Sequence, residues 1–166
     1  MRLFLKVLAV CVLVCTLAAA ALAAYQMHAL KLDVISSDKL EESASQQQDV
    51  FNSWKQMALS NTFPGVTADR VAEEIQPEDC LFESYTVRVK NKGFLPAEWI
   101  ALEAEPCEGD LLIMPDASPR VLNARSEGDL TAAVLRRADA ASEPRALVLT
   151  YYIMGTAYQI QIHAGE

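Results

Sequence analysis

The chain has 166 residues, 52% of them hydrophobic, and a formal net charge of −8. That length holds one domain plus a membrane segment. Residues 1–24 contain Arg2 and Lys6 and no acid, so the 14 basic residues less these two leave 12 against 22 acids, or −10, on the rest. Such a surface repels phosphate backbones, which sets nucleic acid aside as a partner, and it attracts anionic lipid only through the two N-terminal cations.

Residues 1–6 are short and basic, and residues 7–24 follow as 18 positions without a charge or strong breaker. About 17–25 apolar residues cross a hydrocarbon core. The expectation is a cytoplasmic stretch at 1–6, a single transmembrane helix or signal-anchor at 7–25 ending on the interface residue Tyr25, and an extracytoplasmic domain at 26–166. A cleaved signal peptide competes, because 7–17 serves as its apolar region and Ala21-Leu22-Ala23 gives the small-x-small cleavage pattern. Either way the domain is exported: held at the cell membrane by one pass, or secreted if the signal is cut. Val10 and Val14 precede Cys11 and Cys15 where a lipoprotein signal needs a small residue, so those thiols read as apolar helix positions.

After the segment, 30–35 alternates and predicts a first strand, broken at Ser36-Ser37-Asp38. Apolar residues at spacings of three and four, including Val50, Phe51, Trp54 and Met57, predict one amphipathic helix at about 41–59, stopped by Pro64-Gly65. A further helical turn is expected at 68–74. Strands follow at 82–90, 97–105, 110–114, 119–124, 130–136, 146–154 and 157–163. Placed about Gly93, the 82–90 and 97–105 strands form a hairpin with Val87 facing Ile100 and Tyr85 facing Leu102. The core is expected to hold Tyr85, Val87, Ile100, Leu102, Val148 and Tyr152. The fold class is thus mainly β: an immunoglobulin-like antiparallel β-sandwich with one amphipathic helix, behind a single N-terminal transmembrane helix.

The stretch Val87-Arg88-Val89-Lys90-Asn91-Lys92-Gly93-Phe94-Leu95-Pro96-Ala97-Glu98 resembles the strand–loop–strand signature of CARDB-type immunoglobulin-like modules. The layout of anchor, strand, helix and a sandwich closing on Thr150-Tyr151-Tyr152-Ile153-Met154-Gly155 resembles small uncharacterised membrane-anchored envelope proteins of clostridia-like Firmicutes. The resemblance covers most of the chain, its motifs are structural, and it brings no known activity.

Candidate chemistry is sparse. The two histidines, His28 and His163, stand apart, and no metal, P-loop or nucleophile-elbow spacing occurs. No catalytic, metal or cofactor site is assigned. The acids read as solvated faces and turns. Glu108-Gly109-Asp110-Leu111 and Glu127-Gly128-Asp129-Leu130 each read as a turn launching a strand. In the hairpin register Cys80 falls opposite Cys107, which leaves two outcomes open: a disulfide, or two free buried thiols. Phe94 and Trp99 form a possible binding surface. Trp99 lies opposite Ile100 and Leu102, so either the helix at 41–59 covers it, the simpler outcome, or it is an exposed aromatic patch.

Function is expected to be non-enzymatic: a membrane-tethered interaction or scaffold module with no cofactor and an unknown protein or cell-envelope partner. The alternatives are an accessory subunit of a membrane complex packing through its anchor helix, whose 18–24 stretch is rich in small residues, or a secreted carbohydrate- or wall-associated protein.

Overall fold

The computed structural model describes residues 2–29, 32–60, 75–114, 116, 120–140 and 144–164. Helix α1 (Arg2–Ala29) leads into β1 (Leu32–Ser43), a 3₁₀ turn (Ala44–Gln47), α2 (Gln48–Ser60) and a second 3₁₀ turn (Pro77–Asp79). Seven strands complete the domain: β2 (Cys80–Asn91), β3 (Ala97–Ala104), β4 (Asp110–Met114), β5 (Arg120–Leu122), β6 (Glu127–Arg137), β7 (Ala146–Ile153) and β8 (Thr156–His163). They form two antiparallel four-stranded sheets, ordered β1-β2-β6-β4 and β5-β3-β7-β8.

The sheets pack face to face because each strand alternates. Tyr85, Val87 and Val89 of β2 and Leu130, Ala132 and Val134 of β6 meet Ile100, Leu102, Leu147, Leu149, Tyr151 and Ile153 from the other sheet. Each buried side chain of Val or Leu size removes about 1.5–3 kcal/mol of apolar exposure, so this seam holds the domain. The first sheet buries its outer face too. Cys80 and Phe82 of β2, with Leu135 of β6, turn outward against Ala44, Phe51 and Trp54. The Trp54 ring stands edge-on to Phe82, centroids 5.0 Å apart.

Strands β2 to β8 lie where alternation places them, within two or three residues at their ends. Other expectations are corrected. β1 runs through Ser36-Ser37-Asp38 to Ser43, absorbing the break as an irregularity between Val34 and Ser36. This takes Glu41 to Ser43 from the expected helix, so α2 starts at Gln48. The core holds Tyr85, Val87, Ile100 and Leu102, but Val148 is only half-buried and Tyr152 is exposed. β7 is one residue out of phase with the expectation, and Leu147, Leu149 and Tyr151 point inward. The turn expected at 68–74 lies outside the described residues.

The largest correction concerns the hairpin. β2 pairs with β1 and β6, while β3 pairs with β5 and β7, so the two strands lie in different sheets. Val87 pairs with Leu130 and Leu102 with Leu149. The crossing is held by fully buried Asn91, whose Nδ2 donates to the carbonyls of Leu95 (2.8 Å) and Leu122 (3.1 Å). Its Oδ1 accepts from the Gly93 amide at 2.9 Å. The side chain closes a local Asx turn and carries the chain from one sheet to the other.

Among the described residues no helix is long and apolar enough to cross a membrane, so the spanning helix expected at 7–25 is not among the findings. What stands there is one continuous helix of 28 residues, α1. Its described apolar side chains, Val7, Leu8, Leu13, Leu17 and Leu22 among them, are exposed with respect to the rest of the chain.

Candidate functional site

The sandwich has two distinct ends. At the end far from α1, charged groups are sealed between the sheets. Alternation puts Glu83 on the inner face of β2 with Tyr85 and Val87, and Arg145 on the inner side just ahead of Leu147 and Leu149. Arg145 grips Asp110 with two prongs, Nη1 2.6 Å from Oδ2 and Nη2 2.7 Å from Oδ1. It also donates to the Glu105 carbonyl at 2.7 Å and, through Nε, to the Tyr85 hydroxyl at 3.1 Å. That hydroxyl donates to Glu83 Oε2 at 2.6 Å. Glu83 Oε1 meets Arg136 Nε at 2.6 Å and Lys39 Nζ at 3.1 Å, and Lys39 reaches Glu41 at 2.6 Å. The Arg136 contact is an ion pair whose angle is too poor for a hydrogen bond.

Lys39, Arg136 and Arg145 balance Glu41, Glu83 and Asp110, so the cluster is neutral. Burial alone would raise the Glu83 carboxyl, but the Tyr85 hydroxyl, Lys39 and Arg136 outweigh it and hold it below its ordinary value. Burial, then Glu83, pushes Tyr85 well up. Arg145 is opposed by its own burial but raised by Asp110 and Tyr85. Such shifts mark many active sites. Here the side chains of Glu83 and Arg145 are each 3% exposed and face one another, so these charges clamp the sheets together. Only Glu83 carried a readable signal, since it falls in phase with Tyr85 and Val87; it was lost among abundant acids.

Cys80 and Cys107 are not joined by a disulfide; the first is buried and the second partly so. β6 separates them. Cys80 pairs with Arg137, whose amide bonds Gly109 on the other side at 3.0 Å. Flanking strands lie about 9–10 Å apart across a middle one, beyond the roughly 7 Å a disulfide tolerates. The cross-strand disulfide therefore falls with the hairpin. Burial, then Asp79, pushes the Cys80 thiol up to about 11 against Arg137 and Lys55. A cleft of about 430 Å³ opens beside it between Ile75, Glu78, Asp79, Arg137 and Asp139, but a thiol so protonated is no nucleophile at neutral pH. His163 is exposed on β8. Among the described residues no three His, Cys, Asp or Glu side chains are placed to hold a metal ion. The Gly-Asp repeats also part ways: Gly109 turns at φ 89°, whereas Gly128 lies inside β6.

The end next to α1 carries exposed aromatic rings. Helix α2 covers the outer face of the first sheet, not Trp99, which is 66% exposed in the second. The expected helix cover is corrected: the aromatic patch is open. Trp99 sits at φ 51° on an irregularity of β3, next to the pairing of Glu98 with Tyr152. Trp99, Glu98, Tyr152 and Gly155 line a shallow cleft of about 320 Å³. Beyond it, Met154 is 82% exposed at the tip of the β7–β8 hairpin, also at φ 51°. Positive φ costs a side-chain-bearing residue about 1–2 kcal/mol. Phe94 lies in the crossing loop of the same end, 54% exposed, with the Arg125 guanidinium 4.6 Å above its ring and the Tyr25 ring of α1 at 5.8 Å.

No family model and no curated protein matches the chain. Among solved structures, the chain is similar to Northeast Structural Genomics Consortium target SoR45, solved by X-ray, at 13% identity and a TM-score of 0.35 over 61% of this chain and 83% of that one. A likeness that loose carries no argument, and the chemistry rests on the geometry above.

Proposed function

We propose that the chain is a non-enzymatic, membrane-tethered extracytoplasmic interaction module, with the sandwich held outside by α1. The observation that carries this is α1 itself. It is a helix of 28 residues whose charges are Arg2 and Lys6 at its start, and its described apolar side chains from Val7 to Leu22 are exposed. The uncharged run of the sequence at 7–24 suits a bilayer or partner helices, and the cations ahead of it would orient the domain outside. The use of Glu83, Asp110 and Arg145 as a clamp between the sheets also supports binding over catalysis.

The immunoglobulin-like assignment is supported by strand order. β1-β2-β6-β4 follows the A-B-E-D sheet of that fold and β3-β7-β8 its C-F-G sheet, with β5 an added edge. Kinship with CARDB-type modules of envelope proteins belongs to the same proposal: residues 87–98, which carry the resemblance, are the end of one core strand, the crossing and the start of the next. A second reading, an accessory subunit packing through α1, draws on the small side chains at 18–24, which permit close helix approach.

A topology reporter fused after Glu166 is expected to be active only on the outer side, with the protein resisting alkaline carbonate extraction. A reporter active only in the cytoplasm overturns the proposal. A carbonate-soluble exported protein shorter by about its first 24 residues makes it secreted instead.

A further inference from the structure

We infer that the α1 end of the sandwich rests on the bilayer, with Phe94, Trp99 and Met154 seated at the lipid headgroup boundary. The inference rests on the tethering proposed above and adds the pose of the domain. Its geometric anchor is Tyr25, the residue that closes the apolar run of α1, with its ring 5.8 Å from Phe94. If Tyr25 marks the membrane boundary, the loop carrying Phe94 lies at the same depth.

Three further observations converge there. Large apolar side chains are exposed: Phe94, Trp99 and Met154 at 54%, 66% and 82%. Amphipathic aromatic rings are favoured at headgroup depth. Next, the described non-glycine residues with positive φ are Trp99, Arg125 and Met154, and all three sit at this end. Backbone strain kept at exposed positions is a sign of use, since nothing in the packing requires it. Finally, among the described residues Arg88, Lys90, Lys92, Arg120 and Arg125 offset Asp33, Glu98, Asp116, Glu127 and Asp129 at this end, so these side chains do not repel headgroups. Arg125, stacked on Phe94, can keep its guanidinium among phosphates while the ring enters the boundary.

The test is tryptophan quenching in the full-length protein reconstituted into phosphatidylcholine vesicles brominated on the acyl chain roughly 5–10 Å below the headgroups. Trp54 and Trp99 are the chain's two tryptophans, and Trp54 packs against Phe82 under α2. Wild type is expected to lose most of its Trp99 emission, Trp99→Phe to be unquenched, and Trp54→Phe to keep the quenching. Equal quenching of wild type and Trp99→Phe, or none in either, overturns the docked pose and leaves the rim for a protein partner. Carbonate washing separates the two claims. A protein that resists extraction with Trp99 unquenched is tethered but not docked. One that washes off yet is quenched is docked without a spanning helix.

Discussion

Asp110 takes both terminal nitrogens of Arg145, at 2.6 and 2.7 Å, and so ties the first residue of β4 in one sheet to the residue entering β7 in the other. Removing one partner strands a buried charge, which costs about 3–5 kcal/mol, whereas replacing both with apolar residues of similar volume is often neutral. Asp110→Ala should therefore lower the Tm by about 10 °C or more. The pair Asp110→Leu with Arg145→Met should recover most of that loss. Scanning calorimetry of the protein in detergent reads both. Two variants equally damaged would show that the pair does more than neutralise itself.

The same cluster sets a pH window. Glu83 titrates below its ordinary 4.5 when folded, so as pH falls the unfolded chain takes up protons first. The stability Glu83 contributes is present above about 4.5 and lost as pH falls through the folded value. Tyr85 and Cys80 are raised above their ordinary 10.0 and 9.0. Their contributions are present below those values and are lost as pH rises beyond them. Urea midpoints should stay level between about pH 5 and 9 and drop on either side. Glu83→Gln should flatten the acid limb, and Tyr85→Phe should blunt the alkaline one. An unchanged acid limb in Glu83→Gln would place its origin elsewhere.

Two copies of one tetrapeptide give a local test of backbone demand. Gly109 sits at φ 89°, and a Cβ there would overlap the Ala140 Cβ. Gly128 has ordinary φ, and its Cβ would meet only the tip of Leu122 at 3.0 Å. Gly109→Ala should cost about 2 kcal/mol or more, adding overlap to roughly 1–2 kcal/mol of backbone strain. Pairing it with Ala140→Gly should relieve the overlap but not the strain. Gly128→Ala should stay within about 1 kcal/mol of wild type. Chemical denaturation compares the three, and equal losses at 109 and 128 would contradict the distinction.

These cases show what alternation can and cannot convey. The period of two placed β2, β3 and β8, because a half-buried strand must alternate wherever its partner lies. It says nothing of which strand is across the gap. Val87 and Ile100 do share a core, yet from opposite sheets, since Asn91 spends its side chain on the crossing rather than on a hairpin turn. The alignment of Cys80 opposite Cys107 inherited that error. β7 slipped by one because Tyr151-Tyr152 offers an aromatic on each face, and only the partner sheet decides which enters. The exposed rim was half legible: Trp99 fell on the outer face by phase, but its open state depended on which sheet α2 would cover, a tertiary choice.

Met154 gives the last prediction, because it sets stability against the pose of the domain. The hairpin between Ile153 and Thr156 has a two-residue turn, Met154 at φ 51° and Gly155 at φ 77°. Two positive angles in succession are the type I′ pattern, for which Asn-Gly is preferred and Met has no local merit. Asn tolerates that region because its short side chain bonds the nearby backbone. Met154→Asn should thus raise stability by roughly 0.5–1 kcal/mol. It also removes the most exposed apolar side chain of the rim, so the quenching of Trp99 by brominated lipid should weaken in the same variant. A gain in Tm with weaker quenching is the expected pair of results. A Tm that falls would mean the Met154 side chain packs against something the turn geometry does not reveal, and the case for strain retained for docking would go with it.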